Sequence, residues 1–198
     1  MKTCLDARIW KIVGLYLYQY VNTILVSLYL GDQLFLWEVF VFQLLYLASL
    51  VWLLKKSSRY KFDQSRLVWL LLCLGIMFLM SVLVGILWPV TSTNQTSLIS
   101  VQNQLPLMVF ILFLTNASLV EELVYRGYLW SLFPKPYQAI LVTSLVFALS
   151  HQPNSLGSWV VYGCLGLGLG VMRQQTDLLG ATMLHLVWNG LVLLTTLL

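Results

Sequence analysis

The most constraining feature of this sequence is a long central stretch without charge. Between positions 67 and 120 there is no Asp, Glu, Lys, Arg or His. Charged residues make up 9% of the whole chain and apolar residues 60%, whereas an ordinary soluble domain has about 25% charged residues. A soluble globule of this composition would expose large apolar patches, and a disordered chain needs low hydrophobicity. The composition therefore predicts a multi-pass protein of the cell membrane.

Hydrophobic segments recur along the whole chain. A helix that crosses the hydrocarbon core needs about 20 mostly apolar residues. About seven stretches approach this length: residues 9–30, 34–54, 67–88, 105–132, 137–150, 157–172 and 178–198. The fifth and sixth are short for a full span. We expect an all-α transmembrane helical bundle that forms a single membrane domain over residues 1–198, in which residues 1–104 contribute spanning helices.

The basic residues predict the orientation of the chain. Lys2, Arg8 and Lys11 precede or open the first stretch, and a second cluster between positions 55 and 66 fills the connection between the second and third stretches. Cytoplasmic loops carry an excess of Lys and Arg, so we expect the N-terminus on the cytoplasmic side and the uncharged segment 91–104 outside. Binding of anionic lipid headgroups is the alternative interpretation of the second cluster. Nucleic-acid binding is not expected, because no soluble domain is available to carry it.

The sixth stretch contains two glycines four residues apart, Gly166 and Gly170. Small residues at this spacing let two membrane helices approach closely. No strand precedes them, which argues against a phosphate-binding loop. We interpret the pair as a helix-packing surface.

An acidic pair, Glu121 and Glu122, interrupts the fourth stretch. Ionisable groups inside a span are costly and mark candidate functional sites. Glu122 and Arg126 are four residues apart on one helix face, in the order that favours an ion pair. Glu121 points in another direction and has no such counter-ion, which makes it a candidate general base. The alternative is that both glutamates lie at a helix end and reach towards the membrane surface.

Both histidines of the chain lie in the last third. Phe147 and His151 are one helical turn apart, and so are His185 and Asn189. Each pair has a purely structural alternative, as a histidine at a helix end or as a hydrogen-bonding pair between helices. At about 1.5 Å per residue, Glu121 and His151 each lie roughly 20 Å from the turn between them. We therefore expect both residues to meet His185 and Asn189 in one cavity.

Three motifs in this order resemble those of the CPBP family. They are Glu-Glu-x-x-x-Arg at 121–126, Phe-x-x-x-His at 147–151 and His-x-x-x-Asn at 185–189. This family includes the CAAX prenyl endopeptidases and the bacterial Abi proteins linked to bacteriocin self-immunity. The resemblance covers residues 105–198 and identifies them as a CPBP catalytic core. Residues 1–104 resemble the family only as spanning helices.

The resemblance implies an intramembrane endopeptidase that hydrolyses a membrane-associated or lipidated peptide, with bacteriocin maturation or self-immunity as candidate roles. Glu121 and His151 would activate a water, while His185 and Asn189 would hold the oxyanion of the tetrahedral intermediate. The residue types suit this chemistry, because peptide hydrolysis needs a base for water, a donor for the oxyanion and shelter from solvent.

The resemblance also implies that Glu122 and Arg126 support the site, and it leaves a metal open. Two histidines and a glutamate are an accepted zinc ligand set, so Glu121, His151 and His185 are alternative ligands for a divalent metal such as zinc. No His-Glu-x-x-His motif is present, and an asparagine beside the second histidine suits an oxyanion hole better. We expect a metal-free reaction, with zinc as the alternative.

Two other functions are compatible with the same residues. A non-proteolytic immunity or scaffold protein that binds a toxin or receptor would keep the motifs as a structural polar core. A transporter or proton relay would use the ionisable groups directly, but no long internal repeat is apparent, which argues against this class.

Overall fold

The computed structural model describes residues 2–57 and 64–197, with side chains from residue 9 onward. Arg59 and Lys61 of the second basic cluster lie outside the described residues, and so do the side chains of Lys2 and Arg8. The described residues form helices and no sheet, apart from one isolated bridge between Ser92 and Pro153. The prediction of an all-α bundle is therefore confirmed.

The helices follow one another with short connections. Their bounds are α1 Lys2–Leu30, α2 Leu36–Ser57, α3 Gln64–Leu87, α4 Thr93–Gln102, α5 Leu107–Glu122, α6 Pro136–Ser150, α7 Leu156–Gln175 and α8 Leu178–Leu197. Between α5 and α6 the chain continues as a π-helical stretch, Leu123–Leu129, and a 3-10 turn, Trp130–Leu132.

Six helical segments of the described chain are long and apolar enough to cross a membrane. They correspond to every predicted stretch except the fifth, which forms the shorter helix α6. Many large apolar side chains on their outer faces are exposed, for example Leu71, Ile76 and Leu79 on α3. Such a surface is stable only in contact with lipid.

Helix α4 was not predicted, since its segment was interpreted as a plain connection. Its sequence is mostly polar, and its three apolar residues, Leu98, Ile99 and Val101, are too few to give a helical periodicity. It begins at a helix cap, where the Ser92 hydroxyl accepts a hydrogen bond from the Gln95 backbone N–H at 3.0 Å. This cap is the local reason that a helix starts there.

The fourth stretch also differs from its prediction as one regular helix. It is α-helical only to Glu122 and then widens into the π-helical stretch that carries Tyr125 and Arg126. π-Helical turns are rare and occur frequently at functional sites. The side chains of Tyr125 and Arg126 are both buried here, so the irregular segment lies inside the bundle.

Close packing of α6 on α7 depends on Gly166. A Cβ atom added at Gly166 would lie 2.9 Å from Ser144 Cα, and one added at Gly170 would lie 3.2 Å from Ile140 Cγ2. Both contacts are tighter than a larger residue would tolerate without movement. The interpretation of this glycine pair as a helix-packing surface is confirmed.

Buried amide side chains attach α5 to the first two helices. The Asn22 side chain donates a hydrogen bond to the Phe113 carbonyl at 2.9 Å, and the Asn116 side chain donates one to the Gln43 carbonyl at 3.0 Å. Hydrogen bonds of this kind associate helices in lipid, where the hydrophobic effect gives no drive. They hold the helix that carries the acidic pair in a fixed position.

Candidate active site

The structure brings the four predicted catalytic residues together around one cavity. Glu121, His151, His185 and Asn189 all line a cavity of about 500 Å³. They come from α5, the end of α6 and two successive turns of α8. The cavity is also lined by side chains of α1 and α4. The four residues therefore lie in one cavity, as the helix lengths predicted.

Glu121 lies at the centre of this group. Its Oε2 atom is 3.9 Å from His151 Nε2 and 4.0 Å from His185 Nε2. The same oxygen is buried and has no hydrogen-bond partner among the described residues. Distances of this size between polar atoms are those that a bridging water spans. Both imidazole Nε2 atoms therefore lie within 4.0 Å of the same carboxylate oxygen.

His151 is held by the helix that precedes it. Its Nδ1 donates to the Phe147 carbonyl at 2.8 Å, which leaves Nε2 as the nitrogen that faces Glu121. The imidazole lies between two aromatic rings, with centroid distances of 4.3 Å to Phe147 and 4.5 Å to Tyr162. His151 follows the last residue of α6. Burial lowers the pKa of its imidazole, and the Glu121 carboxylate raises it by a smaller amount. A neutral imidazole with a free Nε2 can accept a proton.

Glu122 and Arg126 lie behind the cavity rather than in its wall. Their side chains are fully buried and form an ion pair, with 3.1 Å between Arg126 Nη1 and Glu122 Oε1. The same carboxylate oxygen accepts a hydrogen bond from His185 Nδ1 at 2.9 Å. Arg126 also donates to the Gly166 carbonyl at 3.0 Å. The ion pair predicted from the four-residue spacing is present, and it connects α5, α7 and α8.

Phe147 contacts most of the site through its ring. The Arg126 guanidinium lies 4.6 Å above the Phe147 ring, and the His185 ring centroid is 5.8 Å away. Together with its stacking on His151, this places one aromatic side chain against both histidines. The phenylalanine of the motif therefore packs the imidazoles in place while its carbonyl fixes the tautomer of His151.

Ser118 was missed by the sequence reasoning. Its hydroxyl accepts a hydrogen bond from Asn189 Nδ2 at 2.9 Å and donates one to the Leu114 carbonyl at 2.9 Å. Ser118 is fully buried and lies one turn before Glu122 on the same helix. The sequence did offer a signal, because Ser118 is a polar residue one turn before the Glu122 carboxylate in an otherwise apolar helix.

Tyr162 was missed as well. It stacks on His151, and its hydroxyl is 3.0 Å from the Ser92 hydroxyl that caps α4. No sequence signal separated this tyrosine from Trp159, the other aromatic residue of α7. It connects the site to the helix that lies over the cavity.

Comparison with known proteins finds one family model and one curated relative that are similar to parts of this chain. The family model described as type II CAAX prenyl endopeptidase Rce1-like matches residues 103–191. The UPF0177 protein YvdC of Lactococcus lactis subsp. lactis (strain IL1403) is 36% identical over 129 residues, which cover 60% of this chain and 49% of that protein. The chain thus spans about half the length of this curated relative. No solved structure is significantly similar. The two matches confirm the family resemblance that the motifs indicated.

Proposed function

We propose that this protein is an intramembrane endopeptidase, from the premise that residues 103–191 match the Rce1-like family model. The observation that supports the proposal is the convergence of Glu121 Oε2 with the Nε2 atoms of His151 and His185. These three atoms belong to three different helical segments and line the same cavity. A purely structural polar core would be expected to satisfy the buried carboxylate oxygen directly.

In the proposed reaction, Glu121 and His151 activate a water held between them. The water oxygen attacks the carbonyl carbon of the scissile peptide bond while its proton passes to one of these two bases. The carbonyl π bond opens, and the oxygen becomes an oxyanion. When the tetrahedral intermediate collapses, the C–N bond breaks and the departing amine receives the proton. Water is consumed and no redox step is needed.

His185 and Asn189 are the proposed donors to the oxyanion. Asn189 has two N–H groups, and Ser118 accepts one of them, which leaves the second for the substrate oxygen. His185 uses Nδ1 to bond Glu122, so its Nε2 faces the cavity. In its doubly protonated form it donates through Nε2–H. Donors that are oriented before the reaction stabilise developing charge at little cost of reorganisation.

The same atoms fit a single metal ion less well. Zinc ligands lie about 2.0–2.2 Å from the metal, so tetrahedral geometry places two ligand atoms about 3.4 Å apart. Glu121 Oε2 lies 3.9 and 4.0 Å from the two imidazole nitrogens. Among the described residues, no group of three His, Cys, Asp or Glu side chains has the arrangement of a metal site. We therefore propose a metal-free reaction.

The test is cleavage by the purified full chain in liposomes. Fluorogenic peptides, with and without a lipid anchor, would be offered to the wild type, Glu121→Gln and His151→Ala. We expect each substitution to lower kcat by about 10²–10⁴-fold, the usual contribution of a general base. Glu38→Gln removes a half-buried carboxylate in the first turn of α2, outside the lining of the cavity, and serves as the matched control.

Cleavage by Glu121→Gln at the wild-type rate would contradict the proposal. The alternative immunity or scaffold function makes a separate prediction, because binding of a toxin or receptor does not need the base. Protection of cells that survives Glu121→Gln, together with no cleavage by the wild type, would favour that alternative.

A further inference from the structure

The cavity lies towards one end of the bundle, which we call the α4 end. From the histidines it extends to Asn94 and Gln102 on α4 and to Thr196 near the end of α8. Thr196 donates a hydrogen bond to the Gln102 side chain at 3.1 Å. At the same end, the Thr91 hydroxyl donates to the Asn154 side chain at 2.7 Å. The α3–α4 and α6–α7 connections and the end of α8 therefore lie together around this part of the cavity.

Described lysines and arginines outside the site lie at the opposite end. Lys55 and Lys56 end α2, and Arg66 lies in the first turn of α3. Arg66 forms an ion pair at 2.8 Å with Asp177, which precedes α8. This ion pair shows that the starts of α3 and α8 lie at one end of the molecule.

Two more cations lie on the same side. Lys135 precedes α6, and Arg173 lies in the last turn of α7. Since α6 and α7 run antiparallel, both positions are at the end away from the α6–α7 connection. In the described chain, the connections at the α4 end, residues 31–35, 88–92, 103–106 and 151–155, contain no Lys or Arg. The cationic end is the cytoplasmic end by the charge asymmetry of membrane proteins.

The lining of the cavity contains few charged side chains. Apart from Glu121 and the two histidines, no lining residue in the described part of the chain is Asp, Glu, Lys or Arg. Its polar groups are amides and hydroxyls, including Gln19 on α1 and Gln95 on α4. Amides both donate and accept hydrogen bonds, as an extended peptide backbone requires. Away from Glu121 and the two histidines, a charged side chain would be desolvated without an oppositely charged partner.

The cavity lies at the end opposite the cationic end, and its lining is nearly uncharged. From these two observations we infer that the substrate segment enters the site from the extracytoplasmic side and is uncharged around the scissile bond. This inference deepens the proposed function and rests on it. The reaction that supplies the substrate is then polypeptide export, which carries the segment across the membrane before it is cleaved.

The side of entry can be tested without any measurement of proteolysis. Asn94→Cys places a thiol on an exposed cavity-lining position of α4, and Lys56→Cys places one on an exposed position at the other end of the bundle. Both full-length variants would be expressed in bacterial cells and treated with a membrane-impermeant maleimide, with the unsubstituted chain as the blank. We expect Asn94→Cys to react in intact cells and Lys56→Cys to react only after permeabilisation. The reverse pattern would overturn the inference.

The charge preference can be tested with matched peptides in liposomes. Peptides that differ only in Ser, Asp or Lys at the two positions flanking the scissile bond would be compared. We expect both charged peptides to lose about tenfold or more in kcat/KM. Equal values for the three peptides would overturn the charge selection. If Asn94→Cys is labelled in intact cells but the chain cleaves no peptide, the inferred side of the cavity opening would still hold. That result would refute only the endopeptidase function.

Discussion

Glu122 Oε1 accepts a hydrogen bond from His185 Nδ1 at 2.9 Å across 63 positions of the chain. The same oxygen is paired with Arg126, and both side chains of this ion pair are fully buried. The second glutamate of the acidic pair therefore fixes the orientation of an imidazole instead of facing the cavity. The two neighbouring carboxylates therefore have different surroundings. Glu122 positions His185, whereas Glu121 faces the cavity and is the proposed base.

Neutralising one member of the buried ion pair is expected to destabilise the fold. Arg126→Met leaves the Glu122 carboxylate buried without its guanidinium, and loss of one partner of a buried pair costs about 3–5 kcal/mol. The double variant Glu122→Gln/Arg126→Met removes both charges and should recover part of this loss, since the two effects are coupled. Thermal unfolding in detergent measures both. The pairing would be contradicted if the double variant lost more stability than Glu122→Gln and Arg126→Met lose together as single variants.

Asn189→Ala is expected to lower kcat with little change in KM. Removal of one oxyanion donor costs about 10²–10³ in rate, and the side chain stabilises the intermediate more than the bound substrate. Thr195→Ala is the matched control, because Thr195 lies on the same helix, is exposed and donates its hydroxyl to the Val192 carbonyl one turn earlier. A fall in affinity at constant kcat would assign Asn189 to substrate binding.

Gly166→Ala and Gly163→Ala form a matched pair on α7. The added Cβ at position 166 would approach the backbone of Ser144, whereas at position 163 it meets nothing within 4 Å. We expect Gly166→Ala to lower the unfolding temperature and to reduce activity, because the Gly166 carbonyl binds Arg126. Gly163→Ala should be neutral or slightly stabilising, since alanine favours a helix by about 1 kcal/mol over glycine. Equal unfolding temperatures would contradict the packing argument.

If the site is metal-free, chelators are expected to leave its activity unchanged. Incubation of the active protein with a strong chelator, followed by dialysis, should leave kcat/KM unchanged, and added zinc should not raise it. The spacing of Glu121 Oε2 from the two imidazoles is the physical reason. Loss of activity on chelation and recovery with zinc would assign these three residues as ligands.

The sequence was sufficient to predict the helical fold and to name the residues that gather at the cavity. Hydrophobic length gives the spans, and polar residues inside an apolar helix are rare enough to be noticed individually. Helix α4 was missed because it has no apolar periodicity, although Ser92 offered a cap. Ser118 and Tyr162 were missed because their partners lie on distant segments, at Asn189 and Ser92. Such contacts depend on helix rotation and tilt, which composition does not specify.

The widened turns after Glu122 have a consequence for how this chain tolerates changes in length. A π-helical stretch bonds i to i+5 and so contains one residue more than the regular spiral would use. Deletion of a single residue within Leu123–Leu129 could therefore be absorbed by reversion to ordinary winding, which would move Arg126 away from the Gly166 carbonyl. A one-residue deletion at this place would spare the membrane span while it disconnects the guanidinium from its neighbouring helix.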